Sequence, residues 1–195
     1  MLRISSLISL AVLLALSVVL QAAIWEADPA HSSVAFNIKH MMIANVHGSF
    51  GTFTATVNYD EKDITKSTIE ATIESASINT DNQQRDTHLK SADFFEVEKY
   101  PTIHFASKRI EKTGSGLKII GDLTMHGVTK EITLTADNPS APVIDPWGGT
   151  RIAASATTKV NRTDFGIVWN KTLESGGVLV GIDVNISIEI ELVKK

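Results

Sequence analysis

From Val178 to Val193 the chain alternates without interruption. Val178, Val180, Ile182, Val184, Ile186, Ile188, Ile190 and Leu192 fall on one parity, and Leu179, Gly181, Asp183, Asn185, Ser187, Glu189, Glu191 and Val193 on the other. A period of two belongs to a strand, whose successive side chains point to opposite faces. One face here is wholly apolar and the other mostly polar, as in an antiparallel sheet buried on one side and solvated on the other. At about 15 residues, roughly 3.3 Å each and tilted near 40°, such a strand gives a body roughly 38 Å tall.

The rest of the chain after the N-terminal region repeats the pattern. Val34, Phe36 and Ile38 share a face, with His40 where that strand runs out. Phe53, Ala55, Val57 and Tyr59 form a second face, and Ile69, Ala71 and Ile73 a third. Parity then switches to Ala76 and Ile78, which predicts a β-bulge near Ser75. Ile103 and Phe105 open a further strand, Lys112 to Gly116 reads as a hairpin turn, and Leu117, Ile119, Gly121, Leu123 and Met125 form the return face. Gly127 marks the next turn. Asn138 to Gly149, with three prolines and Gly148-Gly149, reads as a loop, and Ile152, Ala154, Ala156, Thr158 and Val160 then face one way. Glu174 to Gly177 reads as the loop before the last strand.

The one departure is Asp81 to Val97, which reads as short helical turns with Asp81 or Ser91 as N-cap. Tyr100-Pro101 ends it, because proline disfavours helix in the residue before it. About eight strands joined mostly by short turns must each bury a face. They can close into a barrel, which removes exposed edges, or stack as a two-sheet sandwich.

The N-terminus carries Arg3 and an apolar run from Leu7 to Leu20. That run is short of the roughly 20 residues a membrane span needs. It fits a secretory signal peptide over 1–22, cleaved near Ala22 or Ala23. Leu20 and Gln21 at the −3 position meet the small-residue rule only loosely, and an uncleaved anchor is the alternative. Residues 23–195 are of single-domain size. There is no cysteine, so neither disulfides nor thiolate chemistry are available. The net charge of −4 and the lack of a basic stretch exclude a nucleic-acid binder.

Four segments carry a resemblance. Trp25 to Phe36, Arg85 to Phe105, Gly121 to Lys130 and Arg162 to Ile167 resemble, in order, the first strand, the connector, the central hairpin and the segment before the last strand of the YceI-like family of secreted lipid-binding barrels. The resemblance implies an all-β fold: an extended eight-stranded antiparallel lipocalin-like barrel with the helical connector near one end. It also implies a periplasmic protein that binds an isoprenoid lipid or quinone inside the barrel. Neither catalysis nor a cofactor follows from it, and a homodimer is the assembly it allows.

A barrel of this size either fills with side chains or holds one small ligand. Ala154, Ala156 and Gly121 leave room on inward faces, and a tall apolar tube suits a long hydrocarbon. The expected lining is Phe36, Ile38, Phe53, Ile73, Phe94, Phe95, Ile103, Phe105, Leu123, Phe165, Val180 and Ile182. Candidates for a polar head group are His40, Arg85, His88, Arg162 and Asp164. Arginine suits bidentate phosphate contact, while an ion pair of Arg85 with Asp86 or Asp93, or of Arg162 with Asp164, is the structural alternative. An ordinary packed core is the competing reading of the apolar set. No HExxH pair and no Gly-x-Ser-x-Gly occurs, so neither a metal site nor a serine hydrolase is expected. His40 is the one visible acid–base candidate.

Overall fold

The computed structural model describes residues 23–174 and 176–195. The expected signal peptide and its cleavage position, and Ser175 in the expected loop, lie outside the described residues. Twelve strand segments make one sheet: β1 (Ala23–Ala27), β2 (Ser33–His40), β3 (Ala44–Phe50), β4 (Phe53–Tyr59), β5 (Thr68–Glu74), β6 (Ile78–Asn79), β7 (Thr102–Lys112), β8 (Leu117–Met125), β9 (Val128–Ala136), β10 (Val143–Ile144), β11 (Thr150–Asn161) and β12 (Val180–Lys194).

These segments build eight long strands. β1 runs into β2 after the short turn Pro29–His31, and both lie along β12. β3 runs into β4, and β5 into β6, so that β3 pairs with β6 and β4 with β5. The backbone bonds Gly51 N–H to Ser77 O (3.1 Å) and Glu74 N–H to Thr52 O (3.0 Å) carry the ladder across both bends. Pairing of β11 with β12 closes the cylinder, and β10 is a short ribbon on the edge of β11. The fold is therefore a closed, eight-stranded antiparallel barrel.

Register defines two ends. Trp25 opposite Lys194 and Arg151 opposite Val193 mark a base. His40 opposite Val180 and Asn161 opposite Asp183 mark a rim. The tip between β2 and β3, the connector from 80 to 101, the β8–β9 turn and the segments 162–174 and 176–179 all belong to the rim.

Three local expectations are corrected. The parity switch near Ser75 is not a bulge but a 3-10 turn, Ser75–Ser77. It forms where the wall leaves β7 and meets β3, and Ser75 N–H is held by Pro101 O at 2.8 Å. A bulge does occur in β7, where the register shifts between Ser107 and Arg109 and returns Ile110 to the inside. The polar run Ser107-Lys108-Arg109 gave no periodic signal for it. The connector holds one helix, α1 (Gln83–Lys90), whose N-cap is Asn82: its Oδ1 accepts from Arg85 N–H at 2.9 Å. Asp81 instead takes a left-handed φ of 58° before the cap, and Ser91 closes the helix at its C-terminal end.

The core has two parts. At the base, Trp25, 1% exposed, packs with Val57, Ile152 and Leu192 and meets Tyr59 edge-on at 6.1 Å. At the same end an ion cluster ties four segments together: the Arg151 guanidinium lies 2.6 Å from Asp28, 2.7 Å from Asp145 and 2.5 Å from Glu191. Hydrogen bonds from His31, then Arg151, hold the Asp28 carboxyl well below its ordinary value, and the bond to Asp28 raises His31. The second part of the core runs up the barrel and lines its interior.

Candidate functional site

The barrel encloses a cavity of about 450 Å³. That falls within the range of ligand pockets, roughly 300–1,000 Å³. Tyr59, Ile152 and Leu192 form its floor on the Trp25 cluster, and its rim end is lined by Lys39, His40, Thr80, Arg85, His88, Arg162 and Trp169. Between the two ends the wall is almost wholly apolar, because Val34, Phe36 and Ile38 of β2, Phe53, Ala55 and Val57 of β4, Ile69, Ala71 and Ile73 of β5, Ile152, Ala154, Ala156 and Val160 of β11 and Val184, Ile186, Ile188 and Ile190 of β12 face inward.

Of the residues expected at the site, Phe36, Ile38, His40, Phe53, Ile73, Arg85, His88, Phe94, Phe95, Ile103, Phe105, Leu123, Ala154, Ala156, Arg162 and Val180 line this cavity. Ile182, Asp164 and Phe165 do not. Ile182 is 49% exposed, because the register of β12 against β2 shifts between Val180 and Val184 and turns the intervening side chains. Asp164 and Phe165 sit on the 3-10 turn Arg162–Phe165, capped by Asn161 Oδ1 accepting from Thr163 N–H (2.9 Å) and ended by Gly166 at φ 78°. That turn sends Arg162 inward and Asp164 to the surface. Phe165 is buried outside the cavity wall, and its carbonyl accepts from His126 Nδ1 at 3.1 Å.

Gly121 does not leave space either. A Cβ there would overlap the Phe105 ring, and one at Gly48 would overlap the Phe36 ring. Each glycine lets an aromatic ring lie flat on the wall, whereas Ala154 and Ala156 do line the cavity.

The expected ion pairs are also re-sorted. Arg85 donates from Nε to Thr80 Oγ1 and from Nη2 to Thr80 O, both at 2.7 Å, and Asp86 accepts from the same hydroxyl. Asp93 pairs with His88 at 2.7 Å. The His88 ring meets Phe94 and Trp169 edge-on at 5.0 and 4.8 Å, which closes an aromatic corner at the rim. Trp169 escaped the sequence reading because it lies in an irregular segment, where no period assigns it a face.

Arg162 is the unusual group. It is 4% exposed and faces no carboxylate partner among the described residues. Its Nε donates to Gly181 O at 2.8 Å and Nη1 to Ile167 O at 2.7 Å, with Nη2 3.5 Å from Val180 O. Burial lowers its pKa from the ordinary value. Carbonyl dipoles receive three of its five N–H groups but leave its charge uncompensated, and a buried charge without a counter-ion is costly. Elsewhere among the described residues, one set of metal-type donors converges, Asp28, His31 and Glu191 at the base, and Arg151 already supplies its positive charge.

A closed antiparallel barrel with an apolar bore and a polar rim defines a lipocalin-like cavity protein. The model of the YceI-like domain matches residues 25–192, and this chain belongs to that family. It is 39% identical over 165 residues to the UPF0312 protein SAS2572 of Staphylococcus aureus, covering 84% of this chain and 94% of that one. The Campylobacter jejuni YCEI protein superposes with a TM-score of 0.67 at 35% identity, over 81% of this chain and 90% of that chain. Burkholderia cenocepacia BcnA shares the fold, with a TM-score of 0.74 at 20% identity over 85% and 98% of the two chains. So does a Saccharophagus degradans domain described as polyisoprenoid binding, with a TM-score of 0.62 at 14% identity over 90% and 99%.

Proposed function

We propose that the protein is an exported, periplasmic binding or carrier protein for a long isoprenoid lipid, of the quinone or polyisoprenyl phosphate type, and is not an enzyme. The tail lies in the bore and the head group at the rim. The observation that carries this reading is the cavity itself: one continuous apolar bore, floored by the Trp25 cluster and ending in cationic and hydroxyl groups. Each tail methylene withdrawn from water contributes about 0.8 kcal/mol, so affinity needs few polar contacts. Arg162 supplies a positive charge at the rim end that an anionic or strongly polar head would compensate. The polyisoprenoid binding ascribed to the Saccharophagus degradans domain, which shares the barrel, is in keeping with it.

Two other readings are weaker. A filled, purely structural barrel leaves the bore unexplained. An enzyme would need an acid–base pair facing the bore; His40 forms no ion pair among the described residues, and the His88–Asp93 pair at the rim is the one such a reading would have to use. The test is native mass spectrometry of protein purified from its own periplasm, followed by organic extraction. A bound isoprenoid of defined mass is expected. Protein that is empty, and that also refuses added quinones and polyisoprenyl phosphates, would sink the proposal. The same spectra read the oligomeric state, where a homodimer is the assembly to look for.

A further inference from the structure

The rim carries an apolar ledge that no part of the described chain covers. At its centre is the β2–β3 tip, Met41-Met42-Ile43. Met41 and Met42 take left-handed φ values of 51° and 63°, and Ile43 is 81% exposed. Ile43 N–H bonds back to His40 O at 3.1 Å, so the tip is a formed turn. Beside it, Met41 N–H bonds to Leu179 O at 2.7 Å, and Leu179 N–H to Lys171 O at 2.8 Å. These bonds set the segments that carry exposed Ile182 and Val168 alongside the tip. A left-handed φ is unfavourable for side-chain-bearing residues and is normally given to glycine or asparagine. Two methionines held there, with isoleucine next, make a projection that the barrel core does not use.

Charge selects the occupant. The hairpin Ser33–Phe50 contains no aspartate or glutamate, although the chain as a whole is at −4. Its outward face near the tip carries Lys39, paired across the strands with Asn45, and His47, paired with Asn37. Lys39 and His40 also reach the rim of the bore. Apolar side chains at the tip with the Lys39 ammonium two residues behind match a bilayer interface, acyl chains beyond and anionic head groups above. The ledge also borders the rim of the cavity, so a chain leaving the bilayer there would pass from one apolar medium to another.

We propose that the β2–β3 tip docks the barrel, rim first, on an anionic lipid surface, which deepens and rests on the lipid-binding reading. The test is flotation of protein beginning at Ala23, which holds every described strand of the barrel, with vesicles of phosphatidylcholine alone or containing phosphatidylglycerol. Retention is expected to rise with phosphatidylglycerol and fall with salt. Met42→Ser with Ile43→Ser should cut it by roughly ten-fold or more, since each apolar side chain that enters the interface accounts for about that factor. Trp147→Ser, which alters an exposed tryptophan of the loop at the base, should leave it unchanged. Absence of flotation would overturn the proposal. So would loss in the Trp147 variant alone, or a switch from dimer to monomer in the tip variant with flotation intact, which would make the tip a site for a second copy. Uptake of a quinone from detergent, measured on the same proteins, separates the two readings. Flotation without uptake would refute the cavity ligand, and uptake without flotation would refute the docking surface.

Discussion

The two ends of the barrel solve opposite problems with the same strands. At the base, β1, β4, β11 and β12 converge on Trp25 and three carboxylates gather on Arg151, so the apolar plug and the central charge find partners within the chain, while Val143, Ile144 and Trp147 of the adjoining loop stay exposed. At the rim, apolar residues line an open bore, Arg162 is buried against carbonyls without a counter-ion, and Met42 and Ile43 project outward. Saturated interactions make an end that stabilises. Unsaturated ones make an end open to a further partner, and the contrast is the reason the proposed head-group site is placed at the rim.

Perturbing the base should cost folding and little else. Trp25→Ala removes the largest side chain of the plug and should destabilise the protein by about 3–5 kcal/mol, read from urea unfolding, with ligand preference unchanged in the folded fraction. A loss of head-group discrimination there would break the contrast. Arg162→Met is the matching change at the rim. It strips donors from the Gly181 and Ile167 carbonyls, at about 1–3 kcal/mol each, and should weaken polyisoprenyl phosphate far more than a neutral quinone in a competition titration.

Ala156→Leu enters the bore instead. It should lower uptake of the longest chains with a stability change of no more than about 1–3 kcal/mol, whereas a filled barrel would lose stability without any binding to lose. Asn82→Ala should cost about 1 kcal/mol, seen as faster amide exchange confined to α1 and its neighbours.

The gentlest probe is pH, because the base cluster is partly exposed and its pairs are screened. The Asp28 and Asp145 carboxyls are held low, chiefly by bonds from His31 and Arg151 for the first and from Arg151 for the second. Their contribution is complete above the ordinary value of 3.8 and is lost as pH falls below it. His31 is raised, so its contribution is full below 6.5 and fades as pH climbs through its higher folded value. The melting temperature should therefore drop in acid and decline slightly above neutrality, and Asp28→Asn should flatten both limbs.

The alternation of β2, β4, β11 and β12 made the barrel and most of its bore legible, because a period of two fixes which side chains face in as long as register holds. Errors cluster where register breaks: Ile182 beside the shift in β12, Ser75 at a turn between two wall segments, and Asp164 and Phe165 on a turn with a period of its own. Trp169 was invisible for the same reason. Gly121 was misread because an empty position on one strand can be filled by a ring from another, which only the fold brings together.

The proposed binding mode has a polarity: tail on the Trp25 floor, head at the rim. In a Trp147→Phe background, the remaining tryptophans, Trp25 and Trp169, mark the two ends. Isoprenoid lipids spin-labelled at the head or at the tail terminus should quench them selectively. A head label that quenches Trp169, and a tail label that quenches Trp25, is the predicted result. The reverse pattern, or no selective quenching by either label, would contradict it.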